Sequence, residues 1–364
     1  MNLYELSTPA LVVDLDIVER NLDRMAKLCR EQGVRLRPHT KTHKTPGVAR
    51  MQVQQGAIGV TVAKVGEAEV MGEAGLDEIL VAYPVLGAEK LRRLAILARD
   101  RSVLVSLDDE RTAQELSRAA VEAATTFGVL VEFDSGYQRC GLQPGPACAQ
   151  LAIKIEKLPG LKFRGLMTYF GSVWGSAEER RDEARRMVQP VARALEALAA
   201  ARLPVEIVSG GSTPAAEFSG EIPGLTEIRP GTYVYNDLNT FYQGACRLED
   251  CAARVVTTVV STAVLGHAMV DAGSKTLSCD PLGSGPKAGF GHIFEAPDAP
   301  LVKLSEEHGH VDVTHSQHRF RVGEVLSVIP NHICTCVNMH DEMFLVRNQQ
   351  VVGSWRIAGR GKIR

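Results

Sequence analysis

The sequence predicts an α/β protein: a (β/α)8 TIM barrel over residues 14–245, and a mostly antiparallel β domain formed by residues 246–364 together with residues 1–13. Three observations lead there. Across the first two thirds of the chain, eight short apolar runs alternate with helical stretches, the pattern of βαβ units on a parallel sheet. Eight such units close a barrel. After about residue 250 the texture changes to β-branched, apolar runs separated by Gly, Pro, Asn and Asp, with no long helical pattern between them. The length, 364 residues, fits about two domains at roughly 100–200 residues each.

In chain order the barrel strands are expected at residues 35–41, 59–64, 78–83, 102–107, 129–134, 163–169, 205–210 and 227–232. Amphipathic segments such as 65–74, 110–125 and 177–201 fall between them and predict the helices. In the second region, 253–264, 320–329 and 343–346 read as strands, and the Pro- and Gly-rich stretch 280–299 reads as loop.

Composition narrows the partners. An apolar fraction of 45% supplies a large core, and a net charge of -2 gives no electrostatic reason to expect nucleic acid or an anionic membrane. No apolar run approaches the ~18 residues of a membrane span. The opening MNLYELSTPALVVDL has neither a basic start nor an apolar stretch of signal-peptide length. Eight cysteines at positions 29, 140, 148, 246, 251, 279, 334 and 336 are sparse for a disulfide scaffold. The expectation is a cytoplasmic protein with reduced thiols.

In such a barrel, function collects at the C-terminal ends of the strands. The first strand closes in RPHTKTHK and brings Lys41 to the rim; the fifth ends in EFDSGYQRCG with Arg139; the sixth ends in MTYFGS with Tyr169. The seventh ends in VSGGST. Gly210 and Gly211 let the backbone approach a ligand, and the N–H groups that follow, with the hydroxyls of Ser212 and Thr213, suit an anion such as phosphate. Alone, that motif more often marks a tight βα turn with a Ser/Thr helix cap. A second glycine turn, Pro230–Gly231–Thr232, closes the eighth strand, and phosphate sites in barrels are often built from these two loops. Lys41 sits among His39, His43 and Lys44, which reads either as a solvated basic loop or as a Schiff-base lysine. A lysine and a phosphate site on one rim are what pyridoxal 5'-phosphate (PLP) requires.

The second constellation is His332 and Cys334 in PNHICTC. At i and i+2 near the end of a predicted strand, both side chains share a face. Imidazole plus thiolate suits zinc, and two protein ligands leave positions open for water and substrate; the bland alternative is a buried cysteine beside a satisfied histidine. Cys336 lies on the same face and reads as packing, and His308 and His310 read as a turn.

These motifs, in this order, resemble the D-threonine aldolase / D-serine dehydratase family of alanine racemase-like, fold type III PLP enzymes. The resemblance runs from STPALVVDLDIVERNL through RPHTKTHK, VAKVGEAEV, EFDSGYQRCG, YFGSV, SGGST and PGTYVYND to DAGSKT, EEHG, IPNHICTCVNMHD and WRIAGRG. It implies that Lys41 is the Schiff-base lysine, that His39 binds the cofactor with it, that Arg139 contacts the cofactor's ring oxygen and that Tyr169 borders the ring. It implies a phosphate cradle of Ser209, Gly210, Gly211, Ser212, Thr213, Gly231 and Thr232, bordered by Tyr233, and a divalent metal, zinc or manganese, on His332 and Cys334. Two positions depart from the aldolase pattern. D-Threonine aldolases carry H-x-D at the metal site where this chain, like the dehydratases, has H-x-C. They also carry a histidine a few residues after the sixth-strand tyrosine, where this chain has Gly175.

The activity implied is that of a lyase acting on a β-hydroxy-D-amino acid with Lys41, Tyr169 and His332 as catalytic residues. Aldol cleavage to glycine and an aldehyde comes first. Dehydration of D-serine or D-threo-3-hydroxyaspartate to a 2-oxoacid and ammonia is the alternative. An amino-acid racemase or a non-enzymatic PLP carrier ranks below; carriers lack a β domain, and a racemase gives the metal pair no task. The family also implies a homodimer.

Overall fold

The computed structural model describes residues 1–171, 174–282 and 289–364. The chain forms two compact units: Arg24–Lys41 with Pro46–Gly231 and Gly361–Arg364, and Met1–Asp23 with Thr42–Thr45 and Thr232–Arg360. Strand β1 (Ala10–Asp14) and helix α1 (Leu15–Glu31) open the chain.

The unit centred on Pro46–Gly231 holds the parallel strands β2 (Arg35–Leu36), β3 (Val60–Val62), β4 (Glu78–Val81), β5 (Ser102–Leu107), β6 (Phe127–Glu132), β7 (Leu161–Met167), β8 (Ile207–Gly210) and β9 (Glu227–Ile228). Their order is β2-β9-β8-β7-β6-β5-β4-β3. The two ends of this row meet through a parallel bridge between His39 and Thr61, with Thr61 N donating to Pro38 O and Thr40 N to Thr61 O, both at 2.8 Å. The strands therefore close on themselves, as the alternating sequence pattern predicts. Leu80, Leu104, Leu130, Met167 and Ile207, one from each of β4 to β8, form one buried cluster. Burying each such side chain contributes roughly 1.5–3 kcal/mol.

Helices α2 (Pro46–Gln54), α3 (Val65–Glu73), α4 (Ala88–Leu97), α5 (Glu110–Glu122), α6 (Pro146–Glu156), α7 (Ala177–Arg185) and α8 (Val188–Ala200) connect the strands. Three expectations need correction. The eighth strand, expected over 227–232, is regular only over Glu227–Ile228, before Pro230, which cannot donate to a ladder. Residues 177–201 do not form one helix but break at Arg186 and Met187. Pro190 has no N–H for the Arg186 carbonyl, so a continuous helix loses a bond at that place. The first strand, expected over 35–41, is regular only over Arg35–Leu36; Pro38 cannot donate to a ladder, His39 makes a single bridge, and Lys41 lies in a turn.

The other unit carries β10 (Ala253–Ser261), β11 (His267–Val270), β12 (Gly291–Ile293), β13 (Leu301–Leu304), β14 (Gly309–Asp312), β15 (Val325–Pro330), β16 (Glu342–Arg347) and β17 (Gln350–Arg356). The sheet runs β13-β14-β11-β10-β1-β16-β17, with β15 on β10 and β12 on β15. Every pairing is antiparallel except that of β1 with β16. Leu3, Leu6, Ala10, Val12, Val256 and Val346 form a core cluster that ties the N-terminal residues to the sheet. The strand expected at 320–329 begins only at Val325, because residues 321–324 are a turn closed by Glu324 N donating to Arg321 O at 3.0 Å. Short helices α9 (Leu238–Tyr242), α10 (Ser274–Leu277) and α11 (Ile333–Val337) decorate this unit. Among the described residues no helix is long and apolar enough to cross a membrane. The stretch 280–299, expected as loop, contains a strand, Gly291–Ile293, paired with β15. Its residues 283–288, and Ser172 and Val173 of the YFGSV motif, lie outside the described residues.

Candidate functional site

In the barrel unit, Lys41 is exposed in the turn that follows His39, and its N–H donates to His39 Nδ1 at 3.3 Å. His39 N donates to Pro230 O at 3.0 Å and Thr40 N to Thr61 O, so the backbone just before Lys41 is fastened on both sides. The side chain thus leaves the C-terminal end of the first barrel strand from a fixed base.

Arg139 and Tyr169 come together. The guanidinium lies 4.6 Å from the Tyr169 ring centroid and 5.8 Å from that of Tyr137, and the two tyrosines meet edge to face at 5.2 Å. Ser135 Oγ donates to Tyr169 O, and Asp134 Oδ1 accepts from the N–H groups of Gly136 and Gln138, which folds the β6 loop back on itself.

The turn after β8 shows why it reads S-G-G-S. A Cβ on Gly210 would meet Phe170 Cε1 at 2.6 Å. Gly211 has φ +78°, and a Cβ there would meet Ile228 Cγ2 at 2.9 Å. Both the conformation and the space call for glycine. Ser212 Oγ is buried with no hydrogen-bond partner, which is the condition of a hydroxyl awaiting an acceptor. Thr213 is half-buried at the start of the turn that leads into the 3-10 helix Ala216–Glu221. These features fit a group that brings acceptor oxygens, such as a phosphate. Gly231 is buried in the same unit, after β9.

Ser209 differs from its neighbours. Its hydroxyl donates to Glu227 Oε1 at 2.7 Å and accepts from Arg229 Nη1 at 2.7 Å. Arg229 also donates to Thr168 O at 2.8 Å, and Arg37 Nε to Glu227 at 3.1 Å. The Ser209 side chain is thus committed to a buried charged network rather than to the turn. Burial pulls Arg229 down to about 10, opposed by Glu227 and Glu132. Burial likewise pushes the Glu132 carboxyl up, opposed by Arg229 and Arg139.

The β-domain unit contains the other predicted residues. His332 and Cys334 do not share a strand face, as the i, i+2 spacing suggested. β15 ends at Pro330, His332 caps α11, and Cys334 lies in its first turn. The two side chains still meet in a hydrogen bond. His332 Nδ1 lies 2.6 Å from Asp280 Oδ2, which leaves Nε2 as the nitrogen for another partner. Burial works against a charge on His332, but Cys334, Asp237 and Asp280 outweigh it and lift the imidazole to about 10. Asp237, itself buried and pushed up by that burial, accepts from Ile333 N at 3.0 Å. Cys334 Sγ is 3.2 Å from Thr42 Oγ1, the residue after Lys41 in the chain, and 3.9 Å from Thr232 Oγ1. Thr232, expected in the phosphate cradle, and the buried Tyr233 belong to this unit.

An imidazole whose Nδ1 is held by a carboxylate, next to a thiol, is a donor set that suits zinc or a similar divalent cation. Among the described residues no group of three or more His, Cys, Asp or Glu side chains is arranged for a metal. A cation on His332 and Cys334 would therefore keep open positions. Cys336 points elsewhere: it is fully buried, donates to Thr276 O at 3.3 Å, and burial pushes its thiol up. His310 sits in β14 with Ser305 Oγ 3.0 Å from Nε2, while His308 is exposed in the turn before it. Sequence reading missed Thr42, Asp237, Asp280 and Arg229. The only hint for Asp280 is its place just after the DAGSKT motif, and nothing in the spacing connects it with His332.

Residues 13–239 match the alanine racemase N-terminal domain family, and residues 252–346 match the serine dehydratase domain family. A D-threonine aldolase of Arthrobacter sp. is 33% identical over 99% of this chain and 94% of its own. The crystal structure of a D-threonine aldolase from Filomicrobium marinum superposes with a TM-score of 0.92 at 34% identity, covering 100% of this chain and 98% of that one. The D-threo-3-hydroxyaspartate dehydratase of Delftia sp. superposes with a TM-score of 0.89 at 32% identity, covering 98% of each chain. A mutant D-threo-3-hydroxyaspartate dehydratase was solved in a metal-free form; it gives a TM-score of 0.90 at 32% identity over 98% of each chain.

Proposed function

The chain belongs to the family that joins an alanine racemase N-terminal domain to a serine dehydratase domain, and from that premise we propose a PLP- and divalent-metal-dependent lyase of β-hydroxy-D-amino acids, first of all of the D-threonine aldolase type. The carrying observation is the His332–Cys334 pair with Asp280 on the far nitrogen of the imidazole. A racemase has no task for such a pair, whereas a lyase uses it to hold a metal at the β-hydroxyl of its substrate. A dehydratase with a metal-free form among the relatives supports the same reading.

When bound, PLP supplies an electron sink for a carbanion at Cα, and a zinc or manganese ion supplies a Lewis acid for the β-hydroxyl. Lys41 Nζ would hold the cofactor until the substrate amine displaces it, and would then be an amine placed to move a proton at Cα. Gly210, Gly211, Ser212, Thr213 and Gly231 would cradle the phosphate with backbone N–H groups and hydroxyls. Arg139, already stacked on Tyr169, would orient the ring through its oxygen. His332 and Cys334 would carry the metal and so fix the substrate oxygen. If the β-hydroxyl proton passes to solvent, the Cα–Cβ bond would break, its electron pair would stay at Cα, the aldehyde would leave, and a proton delivered to Cα from Lys41 would complete glycine.

The dehydratase reading is favoured by two observations: the metal pair is H-x-C, as in the dehydratases, and the turn at Gly175 has no room for the aldolase histidine. Gly175, where the aldolases carry histidine, has φ +110°, and a Cβ there would meet Glu179 Oε2 at 2.3 Å. Glu179 is engaged in the capping box of α7 with Ser176. A histidine does not fit this turn as built, so the usual aldolase base has no counterpart at that position. If Lys41 takes the Cα proton and the hydroxyl departs, the products are a 2-oxoacid and ammonia.

The test incubates metal-loaded protein with D-threonine and D-serine and assays acetaldehyde, glycine and 2-oxoacid. Glycine with acetaldehyde and no oxoacid supports the aldolase; oxoacid supports the dehydratase. Racemisation that survives a chelator overturns the lyase reading. Homodimerisation belongs to the same proposal and is read by light scattering.

A further inference from the structure

We propose that Asp280 is a positioning residue for His332, fixing the imidazole in the tautomer and orientation that presents Nε2 to the metal. This rests on the reading of His332 and Cys334 as metal ligands. Asp280 Oδ2 lies 2.6 Å from His332 Nδ1 and also accepts from Thr335 Oγ1 at 2.9 Å. The Asp280 backbone carbonyl accepts from Asn331 Nδ2 at 3.1 Å. Ser278 Oγ stands 3.1 Å from Thr335 Oγ1, and Thr335 Oγ1 also reaches His332 O at 3.1 Å. Three residues in and around the first turn of α11, Asn331, His332 and Thr335, are thus fastened to one aspartate 52 positions upstream of the histidine.

The chemistry follows from the two nitrogens. A neutral imidazole carries its proton on either one, and only the nitrogen without it can bind a cation. A carboxylate facing Nδ1 accepts a hydrogen bond only if Nδ1 carries the proton, so it selects the tautomer whose lone pair is on Nε2. The same contact stops the ring from turning about its Cβ–Cγ bond and makes Nε2 a more basic ligand. The arrangement also fits the short sequence spacing at the site. With only two protein ligands, on one helical turn, the geometry of each must be set from outside that turn.

The experiment uses the full-length protein stripped with a chelator and titrated with cobalt(II). Absorbance reports the thiolate-to-cobalt band that Cys334 should give and the weaker visible bands sensitive to coordination geometry. Wild type should bind one cobalt per chain with both features, and Cys334→Ala should lose the thiolate band. Asp280→Ala should weaken cobalt binding by about 10- to 100-fold and alter the visible bands. Asp280→Asn keeps an acceptor oxygen for Nδ1–H but loses the charge, so its affinity should fall between the two. As an isosteric change it serves if the alanine variant does not fold. Wild-type affinity and spectrum in both Asp280 variants would overturn the positioning role while leaving the metal reading intact. If wild type binds no cobalt, the metal reading falls and takes this inference with it.

Discussion

On the proposed reading the turn after β8 and the start of α11 would have the same task, holding a small charged partner, and they are built from different materials. In the turn, most of the work is done by backbone. Two adjacent glycines have no space for a side chain, one of them at φ +78°, and the single notable side-chain feature is the partnerless Ser212 hydroxyl. At α11 the donors are side chains, and their placement depends on residues far away in the chain: Asp280 on His332 Nδ1, Asp237 on Ile333 N, Thr42 on Cys334 Sγ. A site made of backbone is encoded in consecutive residues and leaves a motif. A site made of side chains held from elsewhere leaves only its ligands in the motif.

The comparison fails first if one region can be removed without consequence. Lys41→Ala removes the amine that would carry the cofactor, and should lower turnover by about a thousandfold or more and abolish absorbance near 420 nm. Retention of that absorbance in the variant would place the cofactor elsewhere. Next in size comes Gly211→Ala. The left-handed backbone and the 2.9 Å approach to Ile228 together should cost about 1–3 kcal/mol of stability, measured by denaturant unfolding, and should also weaken cofactor binding. A neutral Gly211→Ala would mean that the backbone there is not constrained, which removes one side of the contrast.

The same contrast governs what the sequence makes legible. Most of the barrel strands are visible because they are short apolar runs, such as Val60–Val62 and Glu78–Val81. Strand β5 coincides with the expected 102–107, whereas β2 (Arg35–Leu36) and β9 (Glu227–Ile228) are only two residues long and carry a charged residue each. The misplacements have local steric causes that periodicity ignores: Pro38 shortens the first strand, and Pro190 divides the helix expected over 177–201. The S-G-G-S turn is readable because its glycines answer to local geometry. His332 and Cys334 are readable as residue types but not in their setting: i and i+2 do not face each other within a helix, and the two meet here because His332 is the extended N-cap residue and only Cys334 lies inside α11. Asp280 is not readable as a partner of His332. It reaches His332 across 52 positions, through a contact that only the folded chain creates. Ser209 is the converse case: its motif position suggests a cradle, whereas its hydroxyl belongs to Glu227 and Arg229.

A third prediction concerns pH and belongs to the side-chain region. In the metal-free protein His332 is raised from 6.5 to about 10, because Cys334, Asp237 and Asp280 outweigh the burial that opposes its charge. Protonated His332 therefore adds stability in full below about pH 6.5, and that contribution is lost as the pH climbs through about 10. The difference in melting temperature between metal-free wild type and His332→Asn should shrink steadily over that window. A metal must displace the same proton, so metal affinity should rise with pH across it. A stability difference that stays constant from pH 6 to 10 would show that the imidazole is not held charged by its neighbours.

The smallest effect is expected at Ser212, and it is the one that separates hydroxyl from backbone within the turn. Its Oγ is buried and has no hydrogen-bond partner, so the cofactor-free protein already bears the cost of a desolvated polar atom. Ser212→Ala removes that cost and leaves a methyl group smaller than the side chain it replaces. The cofactor-free variant should unfold within about 0.5 kcal/mol of wild type, or at slightly higher denaturant. With PLP present the sign reverses, because the wild-type hydroxyl then donates to a charged oxygen and the alanine cannot; binding should weaken by roughly tenfold, seen in the cofactor concentration needed to restore absorbance near 420 nm. Gly211→Ala should be worse in both states, since it strains the chain whether or not an anion is bound. If instead Ser212→Ala destabilises the cofactor-free protein as strongly as Gly211→Ala, the hydroxyl is a structural part of the turn, and the backbone is not the main holder of the anion.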